Sequence, residues 1–314
     1  MGQDGEAAFA STHDTVEDPR NENILIYVNG EIVPRGEAKV SVYDSGFMLG
    51  DGVWEGIRLH NGAFVFLAEH LGRLYEAAKA IDLDIGMTKA ELADVLYETV
   101  AANGMESGVH LRLMVTRGPK KTPFQDPRLS LWGPTIVIIP EYKIASDATF
   151  ERGVRLFTVH MHRGAADVQD PKLNSHSKLN CIVAMIQAIK AGADEGLMLD
   201  PHGFVSTCNS TNFFIVRRDE VWTSTGDYCM PGVTRRNVID LCCANGIPVF
   251  EKNFSLVEAY GADEAFVTGT FAGQVPVVEI DGRPIGDGRP GPVTGRLRGL
   301  YRSLVDEEAR RNAR

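Results

Sequence analysis

The most regular hydrophobic pattern in the chain falls between Leu179 and Lys190, where Leu179, Ile182, Val183, Ile186 and Ile189 recur at helical spacing. That spacing predicts an amphipathic helix with one face in the core, closed by Gly192. Before it, residues 170–178 read as a polar loop carrying Lys172 and Lys178. After it come a short strand, a turn at Pro201-His202-Gly203 and a second polar loop ending at Asn212. In the first third of the chain, Asn29-Gly30 and Asn61-Gly62 sit between short apolar runs and predict type I′ hairpins. Residues 39–44 alternate and predict a strand. Residues 69–83 put Leu71, Leu74, Tyr75, Ala78 and Ile81 on one helical face and leave Arg73 off it. Thr88 and Glu91 form a capping-box pattern at the start of a further helix that stops at Gly104.

Residues 109–116 and 135–139 read as buried strands, joined by a long Pro-rich loop with Lys120, Lys121 and Arg128. Residues 140–148 read as a connection, and strands follow at 154–159, 213–216, 221–223 and 264–267. A helix runs from the 231–235 turn to Gly246. Asp281-Gly282 turns another hairpin, and Pro292 opens a final amphipathic helix. Hairpins dominate both halves, so the predicted class is α+β, not a doubly wound parallel sheet. The expected organisation is a small N-terminal domain over 23–143 and a larger C-terminal domain over 144–314. Residues 1–22, polar and without periodicity, are expected to form a disordered or draped tail.

The 314 residues carry a net charge of −10 with 44% hydrophobic and 24% charged positions. The acidic balance argues against nucleic acid as the main partner. No apolar run reaches membrane-spanning length, and the N-terminal stretch lacks the order of a secretory signal. The five cysteines form no CxxC pair, so neither a zinc site nor a disulfide framework is expected. These features together predict a cytoplasmic protein.

Candidate chemistry gathers at four places. The Pro231-Gly232-Val233-Thr234 turn enters a helix, where free N–H groups and the Thr234 hydroxyl make an anion site. Thr268-Gly269-Thr270 offers a second cup of amides and hydroxyls at a strand end. With the Arg73 guanidinium, these point to a phosphate. A lysine at the helix start, Lys178 or Lys172, becomes a nucleophile toward a carbonyl if burial or a neighbouring cation lowers its pKa. Gly46, Gly50, Gly52 and Gly56 fit either tight bends or close approach to a ligand.

In the order of these motifs the chain resembles the fold-type IV pyridoxal-phosphate enzymes: branched-chain aminotransferases, D-amino-acid aminotransferases and aminodeoxychorismate lyase. The segments that carry the resemblance are YVNGEIVPRGEAKVSVYDSGFMLGDGVWEGIRL, LAEHLGRLYEAAKAIDL, PGVTR and VTGTFAGQVPV. It implies a pyridoxal 5′-phosphate cofactor held by Arg73, Val233, Thr234 and Thr270 and a homodimer. It also implies amino transfer between an amino acid or amine and a 2-oxo acid through a Schiff-base lysine. Trp54 falls where the family places an aromatic wall of the substrate pocket. Arg58, Arg112 and the cations of the 118–134 loop are candidates for a substrate carboxylate.

Three positions depart from the family pattern. Asn174 stands where relatives carry the lysine, and Lys178 where they carry a tyrosine. Residues i and i+4 share a helix face, so Lys178 is the expected Schiff-base residue, with Lys172 in reserve. Thr207 replaces the glutamate that faces the pyridine nitrogen, which leaves a hydroxyl where a carboxylate would strengthen the electron sink. A lyase or elimination enzyme on the same fold, or a silent cofactor-binding protein, are the competing expectations.

Overall fold

The computed structural model describes Thr12 and residues 17–313. Most of the predicted tail lies outside the described residues, although Pro19–Asn23 forms a 3₁₀ turn capped by Asp18. The first sheet begins with β1 (Leu25–Val28) and β2 (Glu31–Pro34), joined at Asn29-Gly30 with both residues at positive φ. Next come α1 (Ser45–Leu49), β3 (Gly52–His60), β4 (Ala63–Phe64), α2 (Leu67–Ala80), α3 (Lys89–Ala102), β5 (Val109–Thr116) and β6 (Thr135–Tyr142). The strands order as β2-β1-β6-β5-β3-β4, with every pairing antiparallel. Leu71, Leu74 and Ala78 of α2 and Leu92, Leu96 and Val100 of α3 pack on one face of this sheet. The predicted capping box is present, with Thr88 Oγ1 accepting from the Glu91 amide and the Glu91 carboxylate accepting from the Thr88 amide.

The second sheet opens after α4 (Asp147–Arg152) with β7 (Val154–Thr158), and continues through α5 (Ala166–Gln169), α6 (Leu179–Lys190), β8 (Glu195–Leu199) and β9 (Val205–Cys208). It is completed by β10 (Asn212–Arg217), β11 (Glu220–Thr223), α7 (Val233–Ala244), β12 (Val249–Glu251), α8 (Leu256–Tyr260), β13 (Glu264–Gly269), β14 (Gly273–Ile280), β15 (Arg283–Pro284) and α9 (Pro292–Asn312). The order is β12-β11-β10-β13-β14-β7-β8-β9, with β15 on β14 and parallel pairs at β11/β12, β14/β7 and β7/β8. The chain therefore has the two-domain α+β architecture. Helix α9 returns to the first sheet, where Tyr301, Val305 and Ala309 pack with Ala63, Val65 and Phe66.

Two expectations fail. Residues 39–44 are not a strand, because only Asp44 makes a bridge, to Pro119, before α1 begins. The apolar stripe of α6 is not core: Leu179, Ile182, Ile186 and Ile189 are exposed, and the helix packs through Ala184 and Ala188. Small residues on the inner face let the helix lie close to β8, while the larger side chains point away.

Candidate active site

The phosphate-type end is built from β3, α2 and the start of α7. On β3, Val53, Glu55, Ile57 and Leu59 alternate inward, and Glu55 is a fully buried carboxylate among apolar neighbours. Its oxygens accept from Arg73 Nε at 2.8 Å and Arg73 Nη2 at 2.7 Å, while His70 Nδ1 lies 2.8 Å away. Burial pushes the Glu55 carboxyl up, but the bonds to Arg73 and His70 outweigh it and hold the group below its ordinary range. Arg73 Nη1 also donates to Pro231 O at 2.7 Å, which ties the guanidinium to the turn before α7. That turn places Gly232 as the N-cap of α7 with no side-chain cap, leaving the first helical N–H groups to a ligand. A Cβ on Gly232 would stand 2.2 Å from Asn212 Oδ1, so only glycine fits there. Val233, Thr234, Thr270 and Arg73 line one cavity, together with Thr268, whose buried hydroxyl oxygen has no hydrogen-bond partner among the described residues.

The lysine end is held by backbone. Trp54 N donates to Asn174 O at 3.0 Å, and Asn174 Nδ2 donates to Trp54 O at 2.6 Å. Trp54 Nε1 donates to Ser175 O at 3.1 Å, and His176 N to Gly52 O at 2.9 Å. The 174–176 segment is thus stitched along the start of β3. This explains the local glycines: a Cβ on Gly50 would lie 2.7 Å from Ser177 Oγ, and one on Gly52 would lie 2.6 Å from Val115 O. The close approach at Gly50 and Gly52 is to protein, while Gly56 lines the phosphate-end cavity. Lys178 follows as the N-cap of α6, and its Nζ stands 5.7 Å from the Trp54 ring centroid. It lines an adjoining cavity of about 390 Å³ with Trp54, Arg112, Asn174, Thr207 and Glu195. Burial lowers the Lys178 amine to about 8; Cys181 and Glu55 pull it up, while Arg163 and Arg73 push it further down.

The opposite wall is the turn from β9 to β10. Thr207 Oγ1 donates to Thr211 O at 2.7 Å, so the hydroxyl proton is already engaged. Glu195, 1% exposed, accepts from Ser210 N at 3.1 Å, Ser210 Oγ at 2.6 Å and Thr211 Oγ1 at 3.0 Å. Thr12 Oγ1 donates to the other Glu195 oxygen at 3.1 Å.

The structure brings Trp54, Arg73, Arg112, Lys178, Thr207, Val233, Thr234 and Thr270 to these two adjoining cavities. Arg112 Cζ lies 4.1 Å from the Trp54 ring centroid. Arg58 lines neither cavity; its electrostatic neighbours are Tyr301, Asp306 and Arg302 of α9. Lys172 is exposed and lines neither. In the 118–134 loop, Lys120 is buried and donates to Asp126 O at 2.8 Å, and Arg128 pairs with Asp126. Lys120 and Arg128 therefore serve the loop itself. Sequence reasoning missed Glu55, Glu195 and Arg163. The signal for Glu55 was present: a carboxylate at an inward position of an alternating strand must be paired.

The family model for amino-transferase class IV matches residues 52–280. The chain belongs to this family. It is 41% identical over 288 residues to branched-chain-amino-acid aminotransferase-like protein 2 of Arabidopsis thaliana, covering 92% of this chain but 51% of that protein. The chain spans about half the length of the two plant relatives it matches. It is also 41% identical over 282 residues to a putative branched-chain-amino-acid aminotransferase of Methanocaldococcus jannaschii, covering 89% of this chain and 96% of that one. Among solved structures it superposes on the T.th. branched-chain amino acid aminotransferase with pyridoxamine 5′-phosphate. The TM-score is 0.86 at 33% identity, over 91% of this chain and 95% of that one. The fold-type IV resemblance read from the sequence is borne out. The donor set of this class IV chain suits a phosphorylated aldehyde: a guanidinium, a glycine-capped helix start and an orphaned hydroxyl at one end, and a desolvated amine at the other.

Proposed function

We propose that the protein is a pyridoxal 5′-phosphate-dependent aminotransferase moving an amino group between an amino acid or amine and a 2-oxo acid, with Lys178 as its Schiff-base residue. When bound, the cofactor supplies an aldehyde carbon that takes the amino group and a ring that draws electrons from the carbon losing its proton. Arg73, the α7 amides at Val233 and Thr234, and Thr270 hold the phosphate. Lys178 carries the reading: its amine is lowered to about 8 in the cavity beyond the phosphate cup. Such an amine is neutral often enough near neutral pH to attack a carbonyl, and its nitrogen can accept and return the substrate's α-proton. Trp54 walls the substrate, and Arg112, stacked on that indole, takes its carboxylate. Arg58, which lines neither cavity, is left out of this substrate set.

Borohydride reduction followed by peptide mapping tests the assignment. Label on Lys178, absent from Lys178→Met, is the expected result; label on Lys172, or none, would overturn it. A lyase reading keeps one specific observation in its favour. The Thr207 proton is engaged by Thr211 O, so this residue can only accept from a ring nitrogen and sustains a weaker sink than a carboxylate. Release of oxo acid and ammonia without an amino acceptor would select it. The assembly we propose is a homodimer, because Leu179, Ile182, Ile186 and Ile189 present an apolar strip that a second copy would cover. Sedimentation equilibrium returning a monomer would sink that. Two domains meeting near residue 143, no metal, and a cytoplasmic home suited to five free thiols complete the proposal. Among the described residues no helix is long and apolar enough to cross a membrane.

A further inference from the structure

Arg163 lies in the loop between β7 and α5, fixed by its own amide, which donates to Leu199 O at 2.8 Å. Its side chain is buried, with 8% of the residue exposed, and lines the same cavity as Lys178. Its contacts are long and uncharged: Nε to Tyr228 O at 3.4 Å and Nη1 to Cys181 Sγ at 3.4 Å. Among the described residues no carboxylate pairs with it. Two other guanidinium groups shielded from solvent in this fold are treated differently. Arg235, 7% exposed, has Glu251 at 2.7 Å, and Arg73 has the two oxygens of Glu55. A buried guanidinium with five donors and no counter-charge is costly unless a ligand supplies one.

We propose that Arg163 forms a second anion subsite of the cavity, taking a carboxylate of the substrate beside Lys178 while Arg112 takes another beside Trp54. The inference rests on the aminotransferase reading for the word substrate, and it assigns a preference for acids that carry two carboxylates. Two cationic anchors in one cavity select such an acid over a monocarboxylate, because the shorter ligand leaves one guanidinium desolvated and unpaired.

Cys181 is a built-in reporter, since its sulfur touches Arg163. The test compares peptide-mapped alkylation of Cys181 by iodoacetate and by iodoacetamide in the purified protein. The exposed Cys243 serves as internal reference. The ratio of the two rates cancels any change in thiolate fraction and reads attraction of an anion. In the native protein this ratio at Cys181 should exceed that at Cys243 by about tenfold, the scale of one charge-assisted hydrogen bond. Arg163→Gln should abolish the excess. Glutarate should slow Cys181 alkylation by about fivefold or more, butyrate by less than about twofold, and the glutarate effect should vanish in Arg163→Gln. Equal protection by the two acids, or an unchanged ratio in the variant, overturns the proposal. Should Arg163→Gln fail to fold, the comparison of the two acids on the native protein decides alone. No turnover is measured, so failure here leaves the Lys178 assignment standing, and loss of Lys178 labelling leaves this subsite standing.

Discussion

The two ends of the cavity follow opposite rules. At the phosphate end the elements of the proposed cup stand in the order the resemblance implies: Arg73 on α2, Gly232 before α7, Thr268 to Thr270 at the end of β13. At the lysine end Asn174 stands where the resemblance read from the sequence puts the lysine, and in our proposal the amine arrives from Lys178. The difference is one of reach. The proposed phosphate cup uses backbone N–H groups and a glycine whose Cβ would strike Asn212, so each position is fixed to within an ångström or so. A lysine delivers its nitrogen on a flexible four-carbon stem. The backbone origin of the amine can therefore shift by four residues while the cavity stays where it is.

The contrast breaks most severely at Glu55. Glu55→Ala strips the partner from Arg73 and leaves a mostly buried cation, so the fold should lose about 3–5 kcal/mol. Urea denaturation measures it, and pyridoxal phosphate affinity should fall in parallel because Arg73 is no longer aimed at Pro231 and the cup. A loss under about 1 kcal/mol, in the range of an exposed pair, with cofactor affinity intact would mean that the phosphate end is not organised through this carboxylate.

The next effect is smaller and of opposite sign. Lys178 has a folded pKa of about 8 against an ordinary 10.5, lowered by burial. Between those values the unfolded chain binds more protons, so stability rises with pH across that window; below about pH 8 the full penalty is present. Lys178→Met removes the penalty and should stabilise the protein at pH 7 by up to about 3 kcal/mol, with the gain gone above about pH 10.5. Urea midpoints at pH 7 and pH 10 check the sign. A variant less stable than the native protein at pH 7 would show that the amine is not desolvated.

Much of this was legible from the chain, and what was not has definite causes. The hairpin at Asn29-Gly30 and the Thr88–Glu91 cap are local signals, so the residues that make them also declare them. The α6 stripe misled because periodicity reports amphipathicity and not which face is inside. Ala184 and Ala188, too small to register in the pattern, carry the packing. Residues 39–44 alternate like a strand but have no neighbour to pair with beyond one bridge at Asp44. Arg163 had no signal at all, since nothing in its own segment shows that Cys181 and Tyr228 will surround it.

The smallest effect sharpens the comparison most, because it separates two jobs of one residue. Trp54 is both a wall under Arg112 and a tether, its Nε1 donating to Ser175 O at 3.1 Å. Trp54→Phe keeps an aromatic face but deletes the tether, at a cost of about 1 kcal/mol. The loosening should concentrate in residues 172–178, where hydrogen exchange should quicken, while exchange at the start of α7 stays as it was. Cofactor affinity should hardly move, since the phosphate cup is untouched, yet the amine's delivery should become less exact and its trapping by borohydride slower. Exchange that quickens equally at both ends would show that they form one cooperative unit, and the rule of a fixed phosphate end and a movable amine would lose its structural basis.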